Sequence, residues 1–168
     1  MSEQVFLGLG SNIGDKETNL FSAIAALDLR EDCSVIKTAS IYETAPLYKI
    51  DQPIFLNTVI EITTSLIPED LLLECQKIEV MLGRPKDHKK NLPRVIDIDI
   101  LCFKTILVKL PNLEIPHIDL RNRRFVLLPF SEIAPDYIVS GYRKTVRDLL
   151  KICPDQSLVK IHNLEKSA

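Results

Sequence analysis

Arg94-Val95-Ile96-Asp97-Ile98-Asp99-Ile100-Leu101-Cys102-Phe103 alternates charge and hydrocarbon through its middle, the two-residue period of a strand over 95–103. In that conformation Asp97 and Asp99 leave from one face about 7 Å apart, while Ile96, Ile98 and Ile100 turn the other way. Two carboxylates so placed repel, and a cation relieves the repulsion. Mg²⁺ takes carboxylate oxygens together with phosphate oxygens and water, and two such ions can bridge the pair. Taken alone, the pair reads equally as the solvated face of an edge strand, because charged side chains are mostly exposed.

The flanking residues bear on that choice. Between 84 and 94, Arg84, Lys86, Lys89, Lys90 and Arg94 face a single acid, Asp87. Two prolines and no apolar periodicity make 84–93 an exposed loop, expected to be mobile until an anion orders it. A polyphosphate needs both signs: cations on the carboxylates neutralise some oxygens while arginines fork onto others. By itself the basic run is as well read as a solvated loop. Downstream, His117 and Arg121, Arg123 and Arg124 form a second polar group. Arginines two apart cannot share one helix face, so one can reach a cleft while another stays solvated. His117 suits phosphate donation or proton transfer, and equally a structural hydrogen bond.

The remaining elements follow from periodicity and punctuation. The run 5–9 reads as a buried strand ending at Gly10-Ser11-Asn12, and 16–27 as a helix capped by Asp15 and lined by Leu20, Ile24 and Leu27. Segments 33–42 and 55–64 are β-branched and aromatic strands joined by a loop with Pro46 and Pro53. Ile67-Pro68-Glu69-Asp70 opens a helix lined by Leu71, Cys75, Ile78 and Leu82 and stopped by Gly83. Residues 106–110 are expected to pair with 95–103 as a hairpin. Helices should run from near Arg121 to before Pro135 and over 145–152, with 154–168 a loose tail. The order β-α-β-β-α-β predicts an α+β, ferredoxin-like βαββαβ sandwich with added C-terminal helices, in one domain over 1–168.

Several function classes fall away. With 21 Lys and Arg against 23 Asp and Glu, net charge −2, the surface as a whole does not attract nucleic acid, so any anion site is local. No apolar run approaches the roughly 20 residues of a membrane helix. Four scattered cysteines lack zinc-ligand spacing and fit a reducing compartment, so a cytoplasmic protein is expected; a monomer is expected as well. The glycines at 8, 10 and 14 are spaced GxGxxxG rather than as a dinucleotide fingerprint, and no Walker run occurs; they read as turn glycines. A non-catalytic module gripping RNA or a nucleotide would need an RNP1-like aromatic run, which is missing.

The segments LGLGSNIGD, YETAPL, DQPIFLNTV, QKIEVMLGR, PRVIDIDIL and PHIDLRNRRFVLLPFSEIAPD, colinear over about 5–150, resemble the 6-hydroxymethyl-7,8-dihydropterin pyrophosphokinase family. The resemblance implies an enzyme that moves the β,γ-diphosphate of ATP onto a pterin alcohol in folate synthesis. It implies Asp97 and Asp99 as ligands of two Mg²⁺ ions and Arg84 and Arg94 as mobile phosphate contacts. His117 and Arg123 would meet the triphosphate, with Gln76, Glu79, Ile100, Leu113 and Ile118 near the nucleotide. On the pterin side, Phe55 and Phe125 would sandwich the ring, Asn57 bond its edge, and the backbone around Thr44, Pro46 and Leu47 complete the pocket. Read without the family, both phenylalanines would be core. Asn91-Leu92, Lys86 and Asn112 depart from the family pattern around the basic loop.

Overall fold

The chain opens with β1 (Glu3–Ser11), followed by α1 (Lys16–Asp28), β2 (Cys33–Thr38), β3 (Tyr42–Thr44) and β4 (Phe55–Thr64). Next come α2 (Pro68–Met81), β5 (Asp97–Phe103), β6 (Val108–Leu110) and β7 (Leu113–Ile115). A 3-10 turn (Leu120–Asn122) leads into α3 (Arg124–Ile133), then β8 (Ile138–Val139), β9 (Lys144–Thr145), α4 (Val146–Lys151) and β10 (Val159–Ile161). This computed structural model describes residues 2–45, 51, 53–85 and 93–164.

One antiparallel sheet in the order β10-β3-β4-β1-β5, with β2 also on β4, organises the molecule. Alternation splits β1 between two cores. Val5, Leu7 and Leu9 pack with Leu20 and Leu27 of α1 and Leu71, Cys75 and Ile78 of α2, while Phe6 packs with Leu127 and Phe130 of α3 and Leu149 of α4. Helices thus cover both faces, which is why the central strands read as long apolar runs. Phe6 lies 4.6 Å from the Phe130 ring and 4.8 Å from Tyr137, centroid to centroid. The helix starts are as their sequences predict: Asp15 accepts from the Thr18 N–H, and Pro68 stands in the first turn of α2. Among the described residues, no helix is long and apolar enough to cross a membrane, and all four cysteines are buried free thiols.

Four expectations need correction. The run 33–42 is two strands. Val35 pairs with Ile62 but Lys37 with Glu61, and Thr38 pairs with Ile60 but Tyr42 with Asn57, so each interval absorbs one extra residue against β4. Residues 106–110 do not pair with β5: β6 pairs with β7. The outer edge of β5 is already occupied, its Ile98 N–H by the Glu79 side chain and its Leu101 carbonyl by the His117 N–H. The helix expected from Arg121 is interrupted by the extended Arg123, and α3 proper starts one residue later with its Arg124 N–H bonded to Asp155 at 3.0 Å. Lastly, the tail is built in. β10 pairs with β3, and His162 bonds to Glu17 and Glu43, up to the limit of description at Leu164.

Candidate active site

The register brings the polar residues to one face of the sheet. Leu101 of β5 packs with Phe6 on the α3 side, so by alternation Asp97 and Asp99 share that face. Val59 of β4 also belongs to the α3-side core, so Phe55 and Asn57 share it too. Between them runs β1, whose residues on this face are Gly8, opposite Asp99, and Gly10, opposite both Asp97 and Asn57. Neither glycine has a positive φ, so no turn requires them. What they leave is bare backbone between two polar groups. A Cβ at position 10 would lie 2.8 Å from Asn57 Oδ1. Their strand positions give them a role that a turn reading of the same residues misses.

At the β5 end, charges form a continuous chain. Glu79 Oε2 accepts from the Ile98 N–H at 2.8 Å and from Arg84 Nη1 at 2.6 Å. Arg84 Nη1 also donates to Asp97 Oδ1 at 2.9 Å, and Arg94 Nη1 donates to Asp97 Oδ2 at 2.8 Å. Arg84 is therefore buried, 7% exposed, and locked between two carboxylates rather than placed on an open loop. Burial pushes the Glu79 carboxyl up to about 7 against the pull of the Ile98 N–H and Arg84. Asp99 is pushed up to about 8 by enclosure and by the neighbouring Asp97, although a third of its side chain still meets solvent.

His117 Nε2 sits 3.9 Å from Asp99 Oδ2. The Asp119 N–H donates to His117 Nδ1 at 3.1 Å, which leaves the ring proton of the neutral imidazole on Nε2, facing Asp99. Burial first, then Arg123, lowers the His117 pKa and keeps the ring neutral. Arg123 bonds Asp119 at 3.0 Å and lies over the Phe125 ring at 5.7 Å. Phe55 and Phe125 are both only half-buried, unlike the core aromatics Phe6 and Phe130. Asn57 Nδ2 donates to Thr44 Oγ1 at 2.9 Å, which joins two of the expected pocket residues. Pro46, Leu47, Lys86 and Asn91-Leu92 lie outside the described residues. Ile100 and Leu113 are in the larger core, and Gln76 and Ile118 are exposed.

Among the described residues, three buried side-chain polar atoms have no hydrogen-bond partner: Nε of Arg84, of Arg94 and of Arg123. Each orphaned donor costs about 1–3 kcal/mol, so three arginines sharing it mark a place for an anion. Asp97 and Asp99 add two carboxylates, and no cluster of three or more metal-binding side chains exists among the described residues. That donor set fits Mg²⁺ completed by phosphate oxygens and water.

Sheet and helices together define an α+β protein with the fold of a solved Plasmodium falciparum HPPK-DHPS, wild type with pteroate, at a TM-score of 0.71 and 18% identity. The superposition covers 90% of this chain and 42% of that one, so this chain spans less than half of its length. The chain belongs to the 7,8-dihydro-6-hydroxymethylpterin-pyrophosphokinase family, whose model matches residues 6–135. It is 42% identical to the 2-amino-4-hydroxy-6-hydroxymethyldihydropteridine pyrophosphokinase of Methylorubrum extorquens over 88% of this chain and 91% of that protein. The protein of the same name from Bacillus subtilis is 44% identical over 79% of each chain, and that of Pseudomonas aeruginosa 34% identical over 96% and 98%.

Proposed function

We propose that the protein transfers the β,γ-diphosphate of ATP to the hydroxymethyl oxygen of 6-hydroxymethyl-7,8-dihydropterin, releasing AMP and the pterin diphosphate used in folate synthesis. The observation that carries this reading is the set of unpartnered Nε atoms on Arg84, Arg94 and Arg123, beside two strand carboxylates and on the same sheet face as Phe55 and Asn57. The flat pterin lies between Phe55 and Phe125, worth about 0.5–1.5 kcal/mol beyond buried area. Asn57 bonds its edge, with the backbone around Thr44 beside it. The glycine strip of β1 lets the hydroxymethyl arm approach the phosphates without a side chain in the way.

Asp97 and Asp99 would hold two Mg²⁺ ions, which when bound neutralise phosphate oxygens. Arg94 exchanges Asp97 for the triphosphate, Arg84 and Arg123 turn their free Nε–H groups to it, and His117 donates from Nε2. Glu79 keeps Arg84 in place, while Gln76, Ile100, Leu113 and Ile118 border the nucleotide. The pterin oxygen attacks the β-phosphorus in line. A new P–O bond forms as the bond from the β-phosphorus to the α-phosphate oxygen breaks, AMP leaves with that electron pair, and the hydroxyl proton is released to water; no covalent enzyme intermediate is needed.

The strand order β5-β1-β4-β2, all antiparallel, supports the ferredoxin-like reading, with β10 and the α3–α4 layer as additions. Four unpaired thiols fit a cytoplasmic enzyme. Incubation with ATP, Mg²⁺ and the pterin alcohol should yield AMP in step with pterin diphosphate. Formation of ADP, or no pterin-dependent nucleotide product, overturns the reading.

A further inference from the structure

Asn12, in the turn after β1, is fully buried, and three of its bonds reach residues far outside the turn. Its Oδ1 accepts from the Arg94 N–H at 2.7 Å, its own N–H donates to the Arg94 carbonyl at 3.1 Å, and its Nδ2 donates to the Pro53 carbonyl at 3.4 Å. These partners are 82 and 41 residues away in sequence. The turn can bear this because it is itself fixed. Asn19 Nδ2 donates to Ser11 Oγ at 3.2 Å and to the Ile13 carbonyl at 3.0 Å, and Lys16 Nζ donates to the Ile54 carbonyl at 2.9 Å. Pro53 and Ile54 lead directly into Phe55 and Asn57, while Arg94 reaches Asp97.

We propose that Asn12 is a positioning residue for diphosphate transfer: it holds the main chain of Arg94 in register with the strand entry that carries Phe55 and Asn57. The inference rests on the phosphate role given to Arg94 above. A guanidinium reaches its target only as accurately as its own backbone is held, and the two-way bond with Asn12 fixes both main-chain polar groups of Arg94, one in each of the two peptides that flank its Cα. The third bond sets the distance between the two halves of the site. An asparagine that only capped the turn would spend its side chain within the turn, as Asp15 does on Thr18.

The test is a double-mutant cycle on kcat and KM with thermal unfolding alongside. Asn12→Ala should lower kcat by about tenfold to a hundredfold while the KM for ATP moves by less than about threefold. In an Arg94→Ala background the same substitution should cost less than about twofold more, because the group it positions is gone. Asn12→Asp keeps the acceptor for Arg94 and loses the donor to Pro53, so it should recover most of kcat and raise the pterin KM. If Asn12→Ala does not fold, Asn12→Ser carries the same cycle. Losses that multiply in the double variant, or an Asn12→Asp enzyme no better than Asn12→Ala, would overturn the proposal. A near-wild-type Arg94→Ala enzyme would overturn the role of Arg94 itself, and that of Asn12 with it.

Discussion

The clusters around Asp97 and around His162 use the same kinds of group and finish differently. At His162, Nδ1 lies 2.7 Å from Glu43 Oε1 and Nε2 2.6 Å from Glu17 Oε1, with Lys160 3.5 Å from the other Glu43 oxygen. Both ring nitrogens are used, and a ring donating to two carboxylates is a protonated ring. Around Asp97 the carboxylates of Glu79 and Asp97 are taken up by Arg84 and Arg94, yet among the described residues three buried arginine Nε atoms have no partner and Asp99 meets only His117, at 3.9 Å. A cluster whose purpose is to join elements closes on itself, because an unpaired buried donor is costly. One that keeps donors open holds that cost until a ligand arrives, and stability alone would have removed it.

If that contrast is right, the largest effects belong to the open cluster. Asp97→Asn and Asp99→Asn should each lower turnover by about a hundredfold or more with circular dichroism unchanged, on the scale of losing a preorganised electrostatic partner. Near-wild-type turnover in both would make the cluster merely structural. Phe125→Ala should weaken pterin binding by about tenfold and leave ATP affinity nearly intact. Equal loss of both ligands in calorimetry, or general unfolding, would return Phe125 to the core.

Gly10→Ala tests the bare strip between the two halves. Its Cβ would press on Asn57 at 2.8 Å. Pterin KM should rise about fivefold, the worth of one displaced hydrogen bond of about 1 kcal/mol, with the KM for ATP unmoved. An unchanged pterin KM would show that Asn57 does not touch the ring.

His162→Gln, in the closed cluster, should change turnover by less than about twofold and act on stability alone. Bonds to Glu43 first, then Glu17, raise the His162 pKa above its ordinary 6.5. The stability it contributes is therefore complete below 6.5 and lost as pH rises through the folded-state value. Glu43 is lowered by the same contact, so its share disappears only in acid, as pH falls through its folded-state value. Melting temperature against pH should fall across the His162 window in the wild type and be flatter in the variant. A variant that keeps the wild-type slope would dissolve the contrast from the other side.

Much of this was legible in the residues, for physical reasons. β1, β4, β5, α1 and α2 declare themselves because each buries a periodic set of side chains, and the carboxylate pair follows from period two alone. The break at 39–41 was not, since a bulge depends on the partner strand: Ala39 bonds both ways with β4, its N–H to Val59 and its carbonyl to Thr58. The burial of Arg84 was hidden as well. A basic residue after a helix stop looks solvated until the fold brings Glu79 and Asp97 to it. Asn12 and Asp155 escaped for one reason: short polar side chains that bond across the fold leave no periodic trace.

Asp155 has a consequence for synthesis of the chain. It accepts the Arg124 N–H at the head of α3, the helix that carries Phe125, and β10 follows only a few residues later. On the ribosome both emerge after every other element of the main sheet. Until they do, β3 lacks its outer neighbour and α3 begins with an open N–H. Domains fold as units when their last contacts become available. The aromatic wall of the pocket is therefore among the late parts of this protein to settle, well after the carboxylate strand has been paired.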